Sequence, residues 1–187
     1  MDLKKIEEGA RLILEGIGED VNRRGLIDTP KRIAKMYSDV FAGIGKDPRG
    51  VIGDLFEEDH DEMILIKDIP FFSFCEHHLM PFIGKANIAY IPNESGMIVG
   101  LSKLARVVDV ASQKPQVQER LTTEIADAIN ETLKPRGVLV VIEAEHFCMS
   151  LRGIKKRGSV TVTSAVRGLF RSNASTRAEA MSLLSEK

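Results

Sequence analysis

Apolar side chains recur at Leu3, Ile6, Ala10, Ile13 and Ile17, close to the period of an α-helix, with Gly16 and Gly18 placed to end it. The spacing predicts an amphipathic N-terminal helix. Asp28-Thr29-Pro30 then sets a capping side chain before a proline at the first helical position, and Ile33, Tyr37, Val40 and Phe41 form the apolar stripe of a second helix ending near residue 42. Residues 43 to 60 hold four glycines, Pro48 and little periodicity, which reads as a connecting loop. The pattern thus separates a helical arm with its loop, residues 1–60, from a main domain, residues 61–187.

In the main domain, Met63 to Ile69 and Phe82 to Ile91 have strand composition, and Pro92-Asn93-Glu94-Ser95-Gly96 forms a turn cluster. Ser102 is placed to cap a helix through about Gln113. After Pro115, Val117, Leu121, Ile125, Ile129 and Leu133 recur every four positions until Pro135 and Gly137 stop them. Val138 to Met149 and Ser159 to Val166 read as a β pair, and Thr176-Arg177-Ala178-Glu179 reads as a capping box opening a short terminal helix. The order strand, strand, helix, helix, strand, strand predicts an α+β fold, an antiparallel β-sheet with two helices packed on one face.

Composition narrows the class without changing that layout. With 187 residues, 43% hydrophobic and 28% charged, the chain is long enough for a proper core and excludes collagen-like, disordered and disulfide-scaffold proteins. No run nears the roughly eighteen apolar residues of a membrane span. The charged, amphipathic start lacks the apolar stretch of a signal peptide, so a cytoplasmic protein is expected. Lys and Arg total 26 against 27 Asp and Glu, so any anionic ligand must be held by a local cluster. Two tyrosines and no tryptophan count against a nucleic-acid platform of stacked aromatics.

Candidate chemistry gathers around the two cysteines, Cys75 and Cys148, which should stay reduced in that compartment. Three of the four histidines lie within three residues of one of them: His77 and His78 follow Cys75, and His146 precedes Cys148. Cys75-Glu76-His77-His78 brings a thiol and an imidazole to one side only if the chain turns there. If the strand from Val138 runs through Met149, Ile142, Ala144, His146 and Cys148 share one face. Cys75, His78 and Cys148 would then make a Cys₂His zinc site with its fourth tetrahedral position open, the catalytic pattern. Two alternatives stay open on spacing: a closed structural site with His77 or His146 as fourth ligand, and plain burial of both cysteines.

No glycine-rich phosphate loop is present, so phosphates would need other basic groups. Ser102 and Lys103 stand at a predicted helix start, Arg106 lies one turn on, and Arg152 with Lys155-Lys156-Arg157 follows the second cysteine. Singly, each reads as an ordinary solvated charge. Together with Asp28-Thr29-Pro30-Lys31-Arg32-Ile33-Ala34-Lys35-Met36-Tyr37, Cys75-Glu76-His77-His78, Gly100-Leu101-Ser102-Lys103-Leu104-Ala105-Arg106, Pro115-Gln116-Val117-Gln118-Glu119-Arg120-Leu121 and His146-Phe147-Cys148 before Arg152-Gly153, they make a chain that resembles GTP cyclohydrolase I. The resemblance runs from Asp28 almost to the end, and departs at Ala180-Met181, where the family usually shows Phe-Leu.

The resemblance implies zinc on Cys75, His78 and Cys148, proton transfer by His77 and His146, and guanine faced by Glu119 with Gln118. It further implies that Arg32, Ser102, Lys103, Arg106 and Arg152 hold the triphosphate. The implied activity is zinc-dependent conversion of GTP to 7,8-dihydroneopterin triphosphate and formate, at the entry to folate or biopterin synthesis. The implied fold is the tunnelling fold, assembled as a ring-shaped homodecamer with sites between subunits. Two competing readings carry less: a zinc-stabilised module gripping nucleic acid with Lys155 to Arg157, which the near-zero charge disfavours, and another tunnelling-fold pterin or deazapurine enzyme, which the intact ligand set disfavours.

Overall fold

The computed structural model describes residues 1–185. Helix α1 (Leu3–Gly16) opens on Asp2, whose carboxylate accepts the Lys5 amide, and packs against α2 (Thr29–Val40). Asp28 precedes α2 but caps nothing: its backbone is already helical, and its carboxylate pairs with Arg32 at 3.6 Å. The stretch expected to be a loop contains a 3-10 turn (Pro48–Val51) and a short strand, β1 (Leu55–Glu57). Strand β1 pairs with β4 (Met97–Val99), a two-stranded sheet that three-residue segments signal too weakly in sequence.

The main sheet is built from β2 (Ile64–Cys75), β3 (Pro81–Ile91), β6 (Gly137–His146) and β7 (Val160–Gly168), antiparallel in that order, with β5 (Pro115–Gln116) added parallel to β2 at the other edge. Strand β2 runs six residues past its predicted end. A bulge between Ile66 and Ile69, with Asp68 at φ 57°, absorbs the irregularity, and Asn87 accepts the freed Asp68 amide. Gly84 is required where β3 crosses β6: a Cβ there would lie 1.9 Å from the Glu143 carbonyl oxygen.

Between β4 and β6 lie α3 (Leu101–Ser112) and α4 (Gln118–Leu133). The four-residue period of α4 is realised in full, with Leu121, Ile125, Ile129 and Leu133 all buried. Lys134 in the left-handed conformation then ends the helix before Pro135. These side chains, with Leu104, Val107, Val108 and Ala111 of α3, form one core with Phe71, Phe82, Ile88, Val140 and Ile142 of the sheet. On the opposite sheet face, Leu139 and Val141 pack with Phe170 of α6 (Leu169–Ser172) and Ala180 of α7 (Ala174–Ser185). The fold is mixed α+β.

Two further caps and one strand end differ from expectation. Gly100, not Ser102, stands at the N-cap of α3, leaving Ser102 inside the first turn. Asn173, not Thr176, caps α7 by accepting the Ser175 and Thr176 amides. Strand β6 stops at His146, and Phe147–Ser150 forms a helical turn, α5, so Cys148 is not a strand residue. Among the described residues no helix is long and apolar enough to cross a membrane.

Candidate metal and active site

The carboxyl end of β2 delivers Cys75 from the core, and the chain turns at once. The Cys75 carbonyl accepts the amides of His78 (3.3 Å) and Leu79 (2.8 Å), and Leu79 takes a left-handed φ of 50°, which reverses the chain into β3. This is the turn that the Cys75–His78 spacing requires. It holds His78 Nδ1 3.9 Å from Cys75 Sγ, with His77 Nδ1 also at 3.9 Å. From the other hairpin, the turn after His146 swings Cys148 back, and one donor atom from each of Cys75, His78 and Cys148 lies within 4.8 Å of the others. Strand alternation would have delivered Cys148 on the face of His146; the helical turn delivers it instead.

The donor chemistry suits a thiophilic cation. Tetrahedral zinc with bonds of about 2.0–2.3 Å sets its ligands roughly 3.3–3.8 Å apart, close to the Cys75–His78 separation. Burial, and next the neighbouring Cys75 sulfur, push the Cys148 thiol up from its ordinary value. Two sulfurs this close ionise together only if a cation compensates them. Cys75 is buried, whereas His78 is exposed, so the group is open on the histidine side.

His146 closes β6 directly opposite Phe82, and the rings stack with centroids 4.5 Å apart and planes 5° apart. Its Nε2 lies 2.7 Å from the Gln118 amide oxygen. Gln118 is buried, its amide nitrogen donating to the carbonyls of Ile142 (3.1 Å) and Thr161 (3.0 Å) and to Thr163 Oγ1 (3.1 Å). Gln118, expected with Glu119 to face guanine, has its polar side-chain atoms hydrogen-bonded within the chain. Glu119, the next residue, is exposed in the first turn of α4. Burial holds the His146 imidazole below its ordinary value, while the Glu119 carboxylate pulls it upward.

The turn bearing His77 and His78 is tied to α4 by residues that spacing did not single out. Glu76 accepts a hydrogen bond from the Arg120 guanidinium, Arg120 Nε donates to Gln116 Oε1 at 2.9 Å, and Gln116 Nε2 donates to Glu124 at 2.8 Å. The family motif contained Gln116 and Arg120, but only the parallel pairing of β5 with β2 shows that they brace the turn. Arg152 lies in the exposed loop after α5, where its charge lowers the Cys148 thiol slightly against the larger upward effects. Ser102, Lys103 and Arg106 occupy the first turns of α3, and Arg32 is exposed on α2. Among the described residues no hydrogen bond or ion pair joins these four to the Cys/His group.

Residues 6–185 match the family described as GTP cyclohydrolase I. The chain belongs to the GTP cyclohydrolase I family. It is 61% identical over 184 residues to GTP cyclohydrolase 1 of Carboxydothermus hydrogenoformans, covering 98% of this chain and 95% of that relative. The corresponding enzyme of Geobacillus kaustophilus is 58% identical over 184 residues, with 98% and 97% covered. That of Streptococcus mutans serotype c is 57% identical over 183 residues, with 98% and 95% covered. Among solved structures, the apo form of the archaeosine synthase QueF-Like aligns with 57% of this chain and 93% of its own, at 13% identity and a TM-score of 0.46.

Proposed function

We propose that Cys75, His78 and Cys148 hold a catalytic zinc ion, and that His77 and His146 move protons beside it during the family reaction. That reaction is the hydrolysis and rearrangement of GTP to 7,8-dihydroneopterin triphosphate and formate. The observation that carries the site is the convergence of three soft donors within 4.8 Å from two separate hairpins. A zinc ion bound there would supply Lewis acidity, lowering the pKa of water toward neutrality.

This chain's residues supply the rest. Glu119 is exposed, close enough to influence His146, and has only acceptor oxygens, so it suits the adjacent N1–H and amino donors of guanine. Burial disfavours the charged form of His146, which suits it to accept a proton, and His77 stands exposed on the turn beside Cys75. Arg32, Ser102, Lys103, Arg106 and Arg152 hold the triphosphate; Arg152 is near Cys148, and the others complete the site between subunits. Each subunit adopts the tunnelling fold, an antiparallel sheet with two helices on one face, as a catalytic domain of residues 61–187 behind an arm of residues 1–60. Subunits form a homodecameric ring in the cytoplasm.

Replacing Cys148→Ser tests the site. The variant is expected to lose bound zinc together with pterin fluorescence and formate release from GTP. Full turnover in metal-free Cys148→Ser protein would refute the assignment.

A further inference from the structure

We infer that Gln118 is a positioning residue that fixes His146 in the Nε2–H tautomer, leaving Nδ1 as the ring nitrogen with the lone pair. The inference rests on the reading of His146 as a proton-transfer group and names the atom that does the work.

The orientation of the Gln118 amide follows from two backbone carbonyls. The Ile142 and Thr161 oxygens can only accept, so the group of Gln118 that faces them at 3.1 and 3.0 Å must be its NH₂. The amide therefore cannot be flipped, and the atom facing His146 at 2.7 Å is the carbonyl oxygen, itself only an acceptor. His146 Nε2 must bring the hydrogen.

A second chain of bonds fixes the same amide from behind. Thr122 Oγ1 donates to the Gln118 backbone carbonyl at 2.7 Å, which uses its single hydrogen. The 2.6 Å contact between Thr122 and Thr163 must then be donated by Thr163, whose lone pairs are left to accept from Gln118 Nε2 at 3.1 Å. Thr163 and Thr161 share a face of β7 with Ile142 of β6 in register, so the cradle is built from sheet backbone and not from mobile loops. Gln118 and Thr122 are each 1% exposed, which shields the amide itself from water, while Thr161, Thr163 and His146 are half-buried.

Ring orientation is restricted as well as protonation. The parallel stack on Phe82 fixes the imidazole plane, and with Nε2 bonded to Gln118 the ring cannot turn over without losing a buried hydrogen bond. Nδ1 has no hydrogen-bond partner among the described residues. A neutral ring in the other tautomer would set its Nε2 lone pair against the Gln118 oxygen, two acceptors face to face. The arrangement parallels the general rule that the bond made by one imidazole nitrogen sets the state of the other.

The test is ¹⁵N-histidine NMR of the zinc-loaded protein at a pH where the ring is neutral, with His146 assigned by its absence from a His146→Asn protein. The parent is expected to show a protonated Nε2 and an unprotonated Nδ1 at His146; a proton on Nδ1 overturns the inference whatever the role of His146. Gln118→Met, similar in size without a strong acceptor, is expected to mix the two tautomers and to lower kcat roughly 10–100-fold with KM for GTP and zinc content unchanged. Thr163→Val, which loosens the amide while keeping the strand, should shift both readouts the same way by less. Unaltered kcat in folded Gln118→Met protein also overturns the inference. If instead His146→Asn retains full turnover while the parent tautomer is as stated, the proton-transfer reading fails and the tautomer assignment stands.

Discussion

Glu119 shows how far a single residue can be read. Helical periodicity places it on the solvated side of α4, and the structure agrees: it is exposed and makes no side-chain hydrogen bond among the described residues. What periodicity omits is the neighbour across the gap, His146, whose imidazole responds to the Glu119 charge. Glu119→Ala is expected to cut kcat/KM for GTP at least about tenfold, about 1.4 kcal/mol, without changing zinc content. The parent should not process ATP, whose N1 is an acceptor and cannot pair with a carboxylate. Steady-state assays with both nucleotides check this. His146→Ala separates a proton-transfer role from a ligand role: zinc should stay bound, by metal analysis, while turnover falls about 100-fold or more. A metal-free His146→Ala protein would make His146 the fourth ligand of a closed site.

The metal group was legible in the sequence for a definite reason. Cys75 and His78 are separated by only two residues, so a single tight turn suffices to bring them together. Gln118 was not legible, because its partners come from β6 and β7, up to 45 residues away, and only the sheet register brings them under the start of α4. Spacing also could not foresee that β6 would end at His146.

At the scale of elements, α4 was the strongest sequence signal, and its buried face forms one core with α3 and the sheet. Ile125→Ala is expected to lower stability by about 2–5 kcal/mol, measurable as a shift in denaturation midpoint. Short elements were missed for the opposite reason: β1, β4 and β5 span two or three residues, too few to display a period.

The loop between α5 and β7, which carries Arg152, hangs on Glu145. Its carboxylate accepts from Ser150 Oγ at 2.6 Å and from the Gly158 amide at 3.1 Å. These bonds, the Ser150 hydroxyl first, hold the carboxyl below its ordinary value of 4.5. A depressed carboxylate stabilises the fold fully above that ordinary value, and the contribution disappears as pH falls through the lower folded one. Glu145→Gln should therefore flatten the Tm–pH curve on its acid side, as pH falls below the ordinary carboxyl value of 4.5. An unchanged slope would mean the loop is held by other bonds.

For the whole molecule, the surface is as informative as the core. Helix α1 exposes Leu12 and Ile13, with Ile17 exposed just after it, and its groove with α2 is lined by Ile6, Ala10, Ile33, Tyr37 and Leu79, the last from the turn after Cys75. Phe72 and Ile83, paired across β2 and β3, are exposed on the sheet face that α3 and α4 leave uncovered, and Val160 and Val162 are exposed on the edge strand β7. Exposed apolar faces and a strand edge unpaired among the described residues fit the proposed ring assembly. Light scattering at micromolar concentration should report a ring of ten chains, and a monomeric mass would contradict it.

Zinc-dependent opening of GTP at the Cys75–His78–Cys148 group is the central claim, and one titration tests it most directly. Protein stripped by chelator is titrated with zinc while formate release from GTP is followed. The rate should rise from near zero in proportion to added metal and break at one zinc per chain; full activity in stripped protein, or a break far from one, would contradict the account.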